Sequence, residues 1–317
     1  MKYTARRLGT ALLVLFLSSL AVFGLLRMAP GDPATILAGQ DASPAQVEQI
    51  RHALGLDESL PAQYWHWLTG LLTGNPGQSY IFKQSIGDLV GQRLGNTVQL
   101  LVLSTLVMIV LGTILGVSAA VATRGPARTI VDLLSTIALA TPPFVSSIVF
   151  IFLFAVSWRL LPVGGQWSFF DAPTISVQFL IMPAIAVALP GSAVVARLLA
   201  TEMRRTFQEE FARTAQAKGA SRGRIVVRHV IPNSLGPAVV EVGIRIGELF
   251  AGAVVVEAIF TRSGLGSLLV TAVQNRDYLL AQDLLLLSVA FAIVMQLLTE
   301  IGISRVDRRI AIGKVLA

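Results

Sequence analysis

Three ionisable residues lie on one face of an otherwise apolar segment, and they are the strongest candidates for chemistry in this sequence. Glu241, Arg245 and Glu248 recur at helical spacing, which puts them on one side of a helix. Such residues usually face a protein interior or a water-filled cavity, because exposure to lipid costs at least ~2.5 kcal/mol each. Arg245 could bind a carboxylate and a glutamate could bind an amine. Two alternatives to such a binding role remain open. The residues could form a structural ion pair that holds packed helices together, or Glu241 could lie outside the membrane.

The remaining reactive side chains offer no arrangement for catalysis. The chain has no cysteine, so thiolate nucleophiles, disulfides and cysteine-ligated metals are excluded. The histidines, His52, His66 and His229, are predicted to fall on opposite sides of the membrane, which leaves no metal cluster. Gly313-Lys314 lacks both the leading glycine and the following Ser or Thr of a phosphate-binding loop. We therefore predict no catalytic residue, no metal site and no bound cofactor, and so no enzyme.

The composition places these residues in a membrane protein. Of 317 residues, 54% are hydrophobic and 14% are charged, whereas soluble domains are about a quarter charged. Segments long enough to cross ~30 Å of hydrocarbon lie at 8–26, 94–123, 133–157, 172–196, 235–259 and 284–303. We predict an all-α integral membrane protein with six transmembrane helices. The first is interpreted as a retained helix rather than a cleaved signal, since its apolar stretch exceeds a typical signal core.

The basic residues predict the orientation. Most of the 25 Lys and Arg residues fall in segments that are cytoplasmic if the N-terminus is inside, and basic residues near span ends mark cytoplasmic loops. Both termini are therefore predicted to be cytoplasmic. The corresponding division is an N-terminal transmembrane helix at 1–30, an external cap segment at 31–93, and a five-helix core at 94–317 with a cytoplasmic loop at about 200–233.

The predicted external segment contains a helix signal and an aromatic cluster. Ser43 can cap a helix whose first residue is Pro44, with apolar residues following at helical spacing. Tyr64, Trp65 and Trp67 are interpreted as an aromatic cluster at the membrane interface. A solvated loop with isolated aromatic residues is the alternative.

The basic segment between the fourth and fifth predicted spans has the pattern of two short helices joined by a glycine turn. Its first apolar face comprises Phe207, Phe211, Ala212 and Ala215. Gly219 can end that helix, Ser221 can cap a second one, and Pro232 opens the next span. A helix that only binds lipid needs no turn at a fixed place, whereas one that docks into a partner does. Periodicity alone does not decide between the two.

This segment resembles the cytoplasmic signature of ABC-importer permeases, in which Glu-Ala-Ala, three residues and Gly precede a distant Leu-Pro. Arg213-Thr214-Ala215 stands at the Glu-Ala-Ala positions, Gly219 at the glycine and Ile231-Pro232 at the Leu-Pro. Arginine at the glutamate position departs from the general pattern. RTAQAKGAS followed by RHVIPNSLGP is nevertheless similar to the dipeptide, oligopeptide and nickel permeases. The resemblance implies an ATPase-coupling loop of Glu210, Arg213, Thr214, Ala215, Lys218, Gly219, Ala220, Ser221 and Pro232.

Further motifs extend this resemblance over nearly the whole chain. The family's opening appears as two arginines before an apolar helix and then APGDP at 29–33. LGLDESLPAQYWHWLTGLLTG, RLGNTVQL and a Pro-Pro pair follow in order, although Gly74-Asn75-Pro76-Gly77 stands where Gly-Asp-Leu-Gly is usual. The stretch 251–278 also matches, with Ser263 in place of the usual proline, and Asp307-Arg308-Arg309 stands at the C-terminal Asp-Pro-Arg.

The resemblance implies the type I ABC-importer permease fold with a cytoplasmic coupling helix pair, as the first permease of a pair in the bacterial cytoplasmic membrane. The implied partners are a homologous second permease forming a heterodimer, two ATP-binding subunits that hold ATP and Mg²⁺, an external substrate-binding protein and the lipid bilayer, but no nucleic acid. The implied solute is a di- or oligopeptide, with nickel or another small solute as the alternative. The charged triad would then line the translocation path.

The turn after the fifth predicted span is a candidate outer gate. Glu257 and Phe260 precede it, and Gly264 and Gly266 could form a tight loop there, although a plain extracellular turn is the alternative. Pro142-Pro143 should kink or break the third span, which is tolerated where freed carbonyls meet neighbouring helices or a cavity.

Two other classes of membrane protein are weighed against this one. An ion-driven secondary transporter would place carboxylates in two inverted halves, and a scaffold or receptor would need no charged face. Apart from Glu300 near the end of the sixth predicted span, the acidic residues of the spans instead lie in one helix.

Overall fold

The chain is all-helical in the computed structural model, which describes residues 2–28, 31–39, 41–122, 126–167, 169 and 171–306. In chain order the helices are α1 (Lys2–Met28), α2 (Pro33–Ala38), α3 (Pro44–Ala53), α4 (Leu60–Leu72), α5 (Ile86–Val121), α6 (Pro126–Ala140), α7 (Pro143–Phe150), α8 (Pro173–Thr206), α9 (Glu210–Ala217), α10 (Arg222–Ile225), α11 (Ile231–Ile259), α12 (Leu265–Gln274) and α13 (Tyr278–Val306). π-helical turns extend α7 over Ile151–Ser157 and join α10 to α11 over Val226–Val230.

Four helical segments are long and apolar enough to cross a membrane: Arg6–Met28, Ile86–Val121, Pro173–Thr206 and Tyr278–Thr299. They contain most or all of the spans predicted at 8–26, 94–123, 172–196 and 284–303. Two helices continue well beyond their predicted ends. The α8 helix reaches Thr206 because Leu199 and Met203, at 1% and 0% exposed, keep its last turns packed in a core.

The third predicted span is broken, as the proline pair predicted. Thr129–Ala140 and Pro143–Ser157 meet at an angle of 109°. Prolines 142 and 143 have no N–H to donate, and residues before proline avoid helical dihedral angles. Ser147 Oγ then donates to the Pro143 carbonyl at 2.7 Å. This pair is a fifth crossing if the two halves form one span, or a re-entrant segment if they do not.

The fifth predicted span corresponds to α11, which has 29 residues and at ~1.5 Å per residue could cross a bilayer. It carries the charged triad and is not among the apolar candidates identified in the described residues. The count of six spans and the inside position of both termini therefore remain predictions.

The chain divides into two compact units, one of residues 1–97 and 263–293 and one of residues 98–262 and 294–317. In the second unit, α8 packs against α6, α7 and α11. Small residues permit close approach: a Cβ added at Gly112 of α5 would lie 2.9 Å from the Val195 side chain of α8. This packing of small residues is typical of helices that associate in membranes. The predicted division at residues 30 and 93 follows membrane position and stays a prediction.

The first unit contains the predicted cap helix, and its N-terminal signal is confirmed. Ser43 Oγ accepts from the Gln46 N–H at 3.4 Å, while Gln46 Oε1 accepts from the Ser43 N–H at 2.8 Å. This reciprocal arrangement is a capping box. It fixes the start of α3 at Pro44.

The interfacial interpretation of the aromatic cluster is wrong for two of its three members. Tyr64 and Trp67 of α4 are 8% and 7% exposed and form a core with Phe23 of α1. Tyr64 Oη lies 2.8 Å from Ser19 Oγ, and Trp67 Nε1 donates to Asp283 Oδ1 at 2.6 Å. The hydroxyl of Tyr64 and the indole N–H of Trp67 therefore have hydrogen-bond partners inside the unit, as the polar groups of buried aromatic residues usually do. Trp65 is 60% exposed, and its interfacial role remains a prediction.

Trp67→Phe should destabilise the chain, because it removes the N–H that Asp283 accepts while Asp283 Oδ2 is already buried without a partner. An unsatisfied buried group costs about 1–3 kcal/mol, so the thermal midpoint of the purified chain in detergent should fall. Trp65→Phe is the matched control and should change stability by under ~0.5 kcal/mol. Equal midpoints for the two variants would contradict this account of the α4 core.

Candidate functional site

The first candidate site is the segment from Phe207 to Val230, here called the α9 segment. Its first helix, α9, begins at Glu210, an acidic residue in the first turn that complements the helix dipole. Its last turn closes with a Schellman motif: Gly219 N–H donates to Gln216 O at 3.0 Å and Ala220 N–H donates to Ala215 O at 3.1 Å. Gly219 has φ +80°, so the predicted glycine ending is confirmed.

One face of the α9 segment is buried in the second unit. Ala212 is 3% exposed and belongs to one buried cluster with Met203 of α8 and with Val226 and Val230. Phe207 and Ala215 pack against the same cluster, as the apolar periodicity predicted. Phe211 differs, being 42% exposed, because consecutive helical residues point about 100° apart and the next residue, Ala212, faces the core.

The opposite face of the α9 segment is exposed and basic. Phe211 and Val227 are exposed apolar residues. The exposed residues around them include Arg213, Thr214, Lys218, Ser221, Arg224 and Arg228. A surface with apolar centres and a basic surround can bind either a complementary protein groove or an anionic membrane surface.

The second predicted short helix is not separate from the helix that follows it, which corrects the expectation of two short helices joined by a glycine turn. Ser221 has N-cap dihedral angles, but its side chain makes no cap hydrogen bond. From Arg222 the chain continues through the π-helical turn into α11 without a break. Pro232 lies in the first turn of α11, and the wider turn before it accommodates a residue that has no N–H.

Two arginines that sequence reasoning did not single out tie the α9 segment and α8 to α5. Arg204 Nη2 donates to Ala119 O at 2.9 Å, and Arg222 Nη2 donates to Val121 O at 3.0 Å. These carbonyls lie in the last turn of α5, and the last carbonyls of a helix generally lack an intrahelical N–H partner. The only sequence signal for these two arginines is that basic residues favour helix C-termini. That signal does not identify which helix each arginine caps.

The second candidate site is the charged triad of α11, and its predicted pairing is confirmed. Arg245 Nε donates to Glu241 Oε1 at 2.6 Å, and Arg245 Nη1 donates to Glu248 Oε2 at 2.6 Å. The side chains are 28%, 17% and 58% exposed for Arg245, Glu241 and Glu248. Gly191 of α8 lies beside the Arg245 side chain. The triad has two carboxyl groups for one guanidinium, and Glu248 is the most exposed of the three side chains.

The candidate outer gate has a different geometry from the one expected of its glycines. Glu257 and Phe260 are 0% and 1% exposed and belong to the second unit. Phe260 O accepts from Gly165 N–H at 2.7 Å. The left-handed backbone conformation falls on Thr261, with φ 50°. Arg262, 2% exposed, has its pKa lowered by burial, although the nearby Glu257 opposes this shift.

The two glycines of that candidate gate belong to the first unit. Gly264 has extended dihedral angles and caps α12, with its N–H donating to Ser267 Oγ at 3.1 Å. Gly266 is buried within α12. Neither glycine has a positive φ, so the expectation that they provide the tight loop is wrong.

A polar cluster in the first unit was missed by sequence reasoning. Asp277 is fully buried and accepts from Ser79 Oγ at 2.5 Å, from Ile81 N–H at 3.2 Å and from Leu280 N–H at 3.3 Å. The sequence signal that could have identified Asp277 is its place directly before an apolar helix, which is the N-cap position of α13. Burial raises the pKa of the nearby Tyr80 to about 12, so this phenol stays neutral at ordinary pH.

The motif at 29–33 contributes to the same unit through its described residues. Asp32 caps α2 by accepting from Ala34 N–H at 3.2 Å, and it pairs with Arg51 of α3 at 2.6 Å. Tyr278 Oη donates to Gly31 O at 3.1 Å. Residues 29 and 30 lie outside the described residues, as do Asp307-Arg308-Arg309 and Gly313-Lys314.

The histidines make ordinary surface contacts where their partners are described. His52 Nδ1 lies 2.6 Å from Asp57 Oδ2, and this hydrogen bond lowers the pKa of Asp57. His66 pairs with Glu58 at 2.9 Å. No group of three His, Asp or Glu side chains suited to a metal ion occurs among the residues that the structure describes.

These features define a helical protein with several apolar helices long enough to cross a membrane, a paired charge in one long helix and a glycine-ended amphipathic helix in one loop. Residues 112–312 match the family described as the binding-protein-dependent transport system inner membrane component. Residues 1–100 match the N-terminal region of such membrane components. The chain therefore belongs to this family of ABC transporter permeases.

Curated relatives align along nearly the whole chain. A protein of Sinorhizobium fredii named as a probable peptide ABC transporter permease is 34% identical over 97% of this chain and 98% of its own length. Proteins named as the glutathione transport system permease are 33% identical in Pectobacterium atrosepticum, over 93% of this chain and 94% of theirs, and in Escherichia coli over the same shares.

Gly219→Ala should destabilise the α9 turn, because a side chain at positive φ costs about 1–2 kcal/mol. No atom lies within 4 Å of the added Cβ, so the cost is confined to the backbone. Hydrogen exchange at the Ala220 amide should accelerate roughly 5- to 30-fold. Gly223→Ala, in α10 and equally open around its Cβ, is the control. Equal acceleration in both variants would contradict a specific role of Gly219 in this turn.

Proposed function

We propose that this chain is one permease subunit of an ATP-driven importer that moves di- or oligopeptides across the bacterial inner membrane. The observation that carries the proposal is its alignment, over nearly its full length, with relatives named as peptide and glutathione permeases. The glycine-ended α9 helix, exposed and basic on one face, supports it. A nickel complex or another small solute is the alternative substrate.

The proposed assembly contains this chain, a second homologous permease, two ATP-binding subunits and an external binding protein. The chain crosses the membrane six times, with α11 as the fifth span and both termini in the cytoplasm. Residues 31–93 then receive the binding protein outside. ATP and Mg²⁺ are held by the ATP-binding subunits, so this chain performs no hydrolysis.

The α9 segment is the proposed coupling element. Its exposed face docks into a groove of an ATP-binding subunit, and its buried face transmits movement to α8 and α11. Support comes from Ala212, which shares one buried cluster with Met203 of α8 and with Val230, the residue directly before α11. Closure of the ATP-binding subunits would displace α9 and, through this packing, both long helices.

The charged triad is the proposed contact with the ends of the peptide. Arg245 is one quarter exposed and Glu248 is more than half exposed, so both can reach a cavity between subunits. Arg245 would bind the peptide carboxylate, and Glu248 would bind the amine. Before substrate binds, the hydrogen bonds to Glu241 and Glu248 balance the positive charge of Arg245, because a charged side chain within the membrane needs a partner.

The test is ATP hydrolysis by the reconstituted complex, with and without binding proteins loaded with di-, tri- or longer peptides or with chelated nickel. A peptide-loaded binding protein should stimulate hydrolysis, because loading signals the permease to engage the ATP-binding subunits. Stimulation by the nickel-loaded protein alone would overturn the peptide assignment. Gly219→Pro, which cannot adopt a positive φ, should separate hydrolysis from transport.

The role of Arg245 is tested in the same preparation with peptides that carry a free or an amidated C-terminus. The native complex should transport the free acid faster, and Arg245→Gln should lose this preference, because only the free acid offers a carboxylate to the guanidinium. If Arg245 only holds helices together, the variant slows both peptides equally and the preference survives.

A further inference from the structure

A basic pocket in the second unit has no role in the proposed transport. It is a cavity of about 300 Å³ between the last turns of α5 and the facing sides of α6 and α8. Its polar lining consists of Asp132, Ser135 and Thr136 of α6 and Arg197 and Arg204 of α8. Thr201 of α8 adds a further hydroxyl, and the rest of the described lining consists of three alanines.

The two guanidinium groups of the pocket are oriented but not saturated. Arg197 Nη2 donates to Thr136 Oγ1 at 3.0 Å, and Arg204 Nη2 donates to Ala119 O at 2.9 Å. A guanidinium has five N–H donors, so each arginine keeps donors for a ligand. Two arginines against the single carboxylate of Asp132 leave the pocket positive, which favours an anion with several acceptor oxygens.

The surface beside the pocket is apolar. On α6 the residues between and next to the pocket-lining positions include Ile130, Leu133, Leu134 and Ile137, each at least 50% exposed. One short helix thus presents polar groups to the pocket and aliphatic groups to its surroundings. Arg197 directly follows the predicted span at 172–196, which places the pocket at the depth where hydrocarbon gives way to headgroups.

We propose that this pocket binds the phosphate of an anionic phospholipid of the inner leaflet. The phosphate lies between Arg197 and Arg204, and the acyl chains extend along the apolar face of α6. The leaflet assignment rests on the orientation given in the proposed function. A soluble phosphate would satisfy the arginines but would leave the adjoining apolar face unused, and a basic pocket between membrane helices matches a lipid headgroup.

Bound lipid in this position would connect α6 to α8 beside the start of the α9 segment. Arg204 also holds the last turn of α5 through Ala119 O. The packing of these helix ends would therefore depend on the phospholipids present.

The test measures lipid bound to the full-length chain in its assembled, detergent-purified complex by native mass spectrometry. Phosphatidylglycerol should bind in preference to phosphatidylcholine. Arg197→Gln should weaken phosphatidylglycerol binding about tenfold, equivalent to about 1.4 kcal/mol. Asp132→Asn should strengthen it, because the opposing carboxylate is gone, and this opposite sign separates binding from misfolding. Arg205→Gln is the matched control, since Arg205 is exposed on the same helix outside the pocket lining.

Three results would overturn the proposal. Phosphatidylglycerol binding could be unchanged in Arg197→Gln, or it could fall equally in Arg205→Gln, which would indicate general attraction to a basic surface. Millimolar inorganic phosphate could displace all bound phosphatidylglycerol, which would identify a free phosphate site. Stimulation of ATP hydrolysis by peptide-loaded binding protein is measured on the same preparation. If phosphatidylglycerol binds as expected but peptide-loaded binding protein does not stimulate ATP hydrolysis, the transport proposal is contradicted and the lipid proposal is not.

Discussion

The buried packing beneath α9 is the interaction on which the functional account depends. Ala212 of α9 belongs to one buried cluster with Met203 of α8 and Val230, which are both fully buried. Ser234 Oγ adds a buried hydrogen bond from α11 to Thr206 Oγ1 of α8 at 2.9 Å. A short helix of 8 residues would not be stable alone. Its position is set by this core, so displacement of α9 has to move the helix ends to which it is packed.

The membrane imposes the second constraint, which is that polar groups within spans must find partners in the protein. At the break formed by prolines 142 and 143, the hydroxyls of Ser146 and Ser147 both donate to Pro143 O. The α11 arginine is held between two glutamates. The charge of Arg245 is thus compensated within one turn of its own helix, as non-aqueous surroundings require.

Sequence patterns predicted the features that depend on local spacing. Gly219, the Ser43 cap, the proline break and the Arg245 ion pairs all follow from residues within about one helical turn of each other. Features set by distant partners were missed or wrong. Trp67 was assigned to an interface because its partners, Asp283 and Phe23, are remote in the chain. The glycines at 264 and 266 were given a turn that the backbone forms at Thr261, and no pattern identified Asp277 as the partner of Ser79.

The most direct measurement is site-specific cross-linking from α9 to an ATP-binding subunit in membrane vesicles containing the whole transporter. The chain has no native cysteine, so Gln216→Cys on the exposed face of α9 and Glu48→Cys on α3 each carry a single reactive thiol. The account predicts an adduct between the ATP-binding subunit and the cysteine at 216, and none from the cysteine at 48. An adduct from position 48 but not from position 216 would place the coupling surface on the wrong side of the membrane and contradict the account.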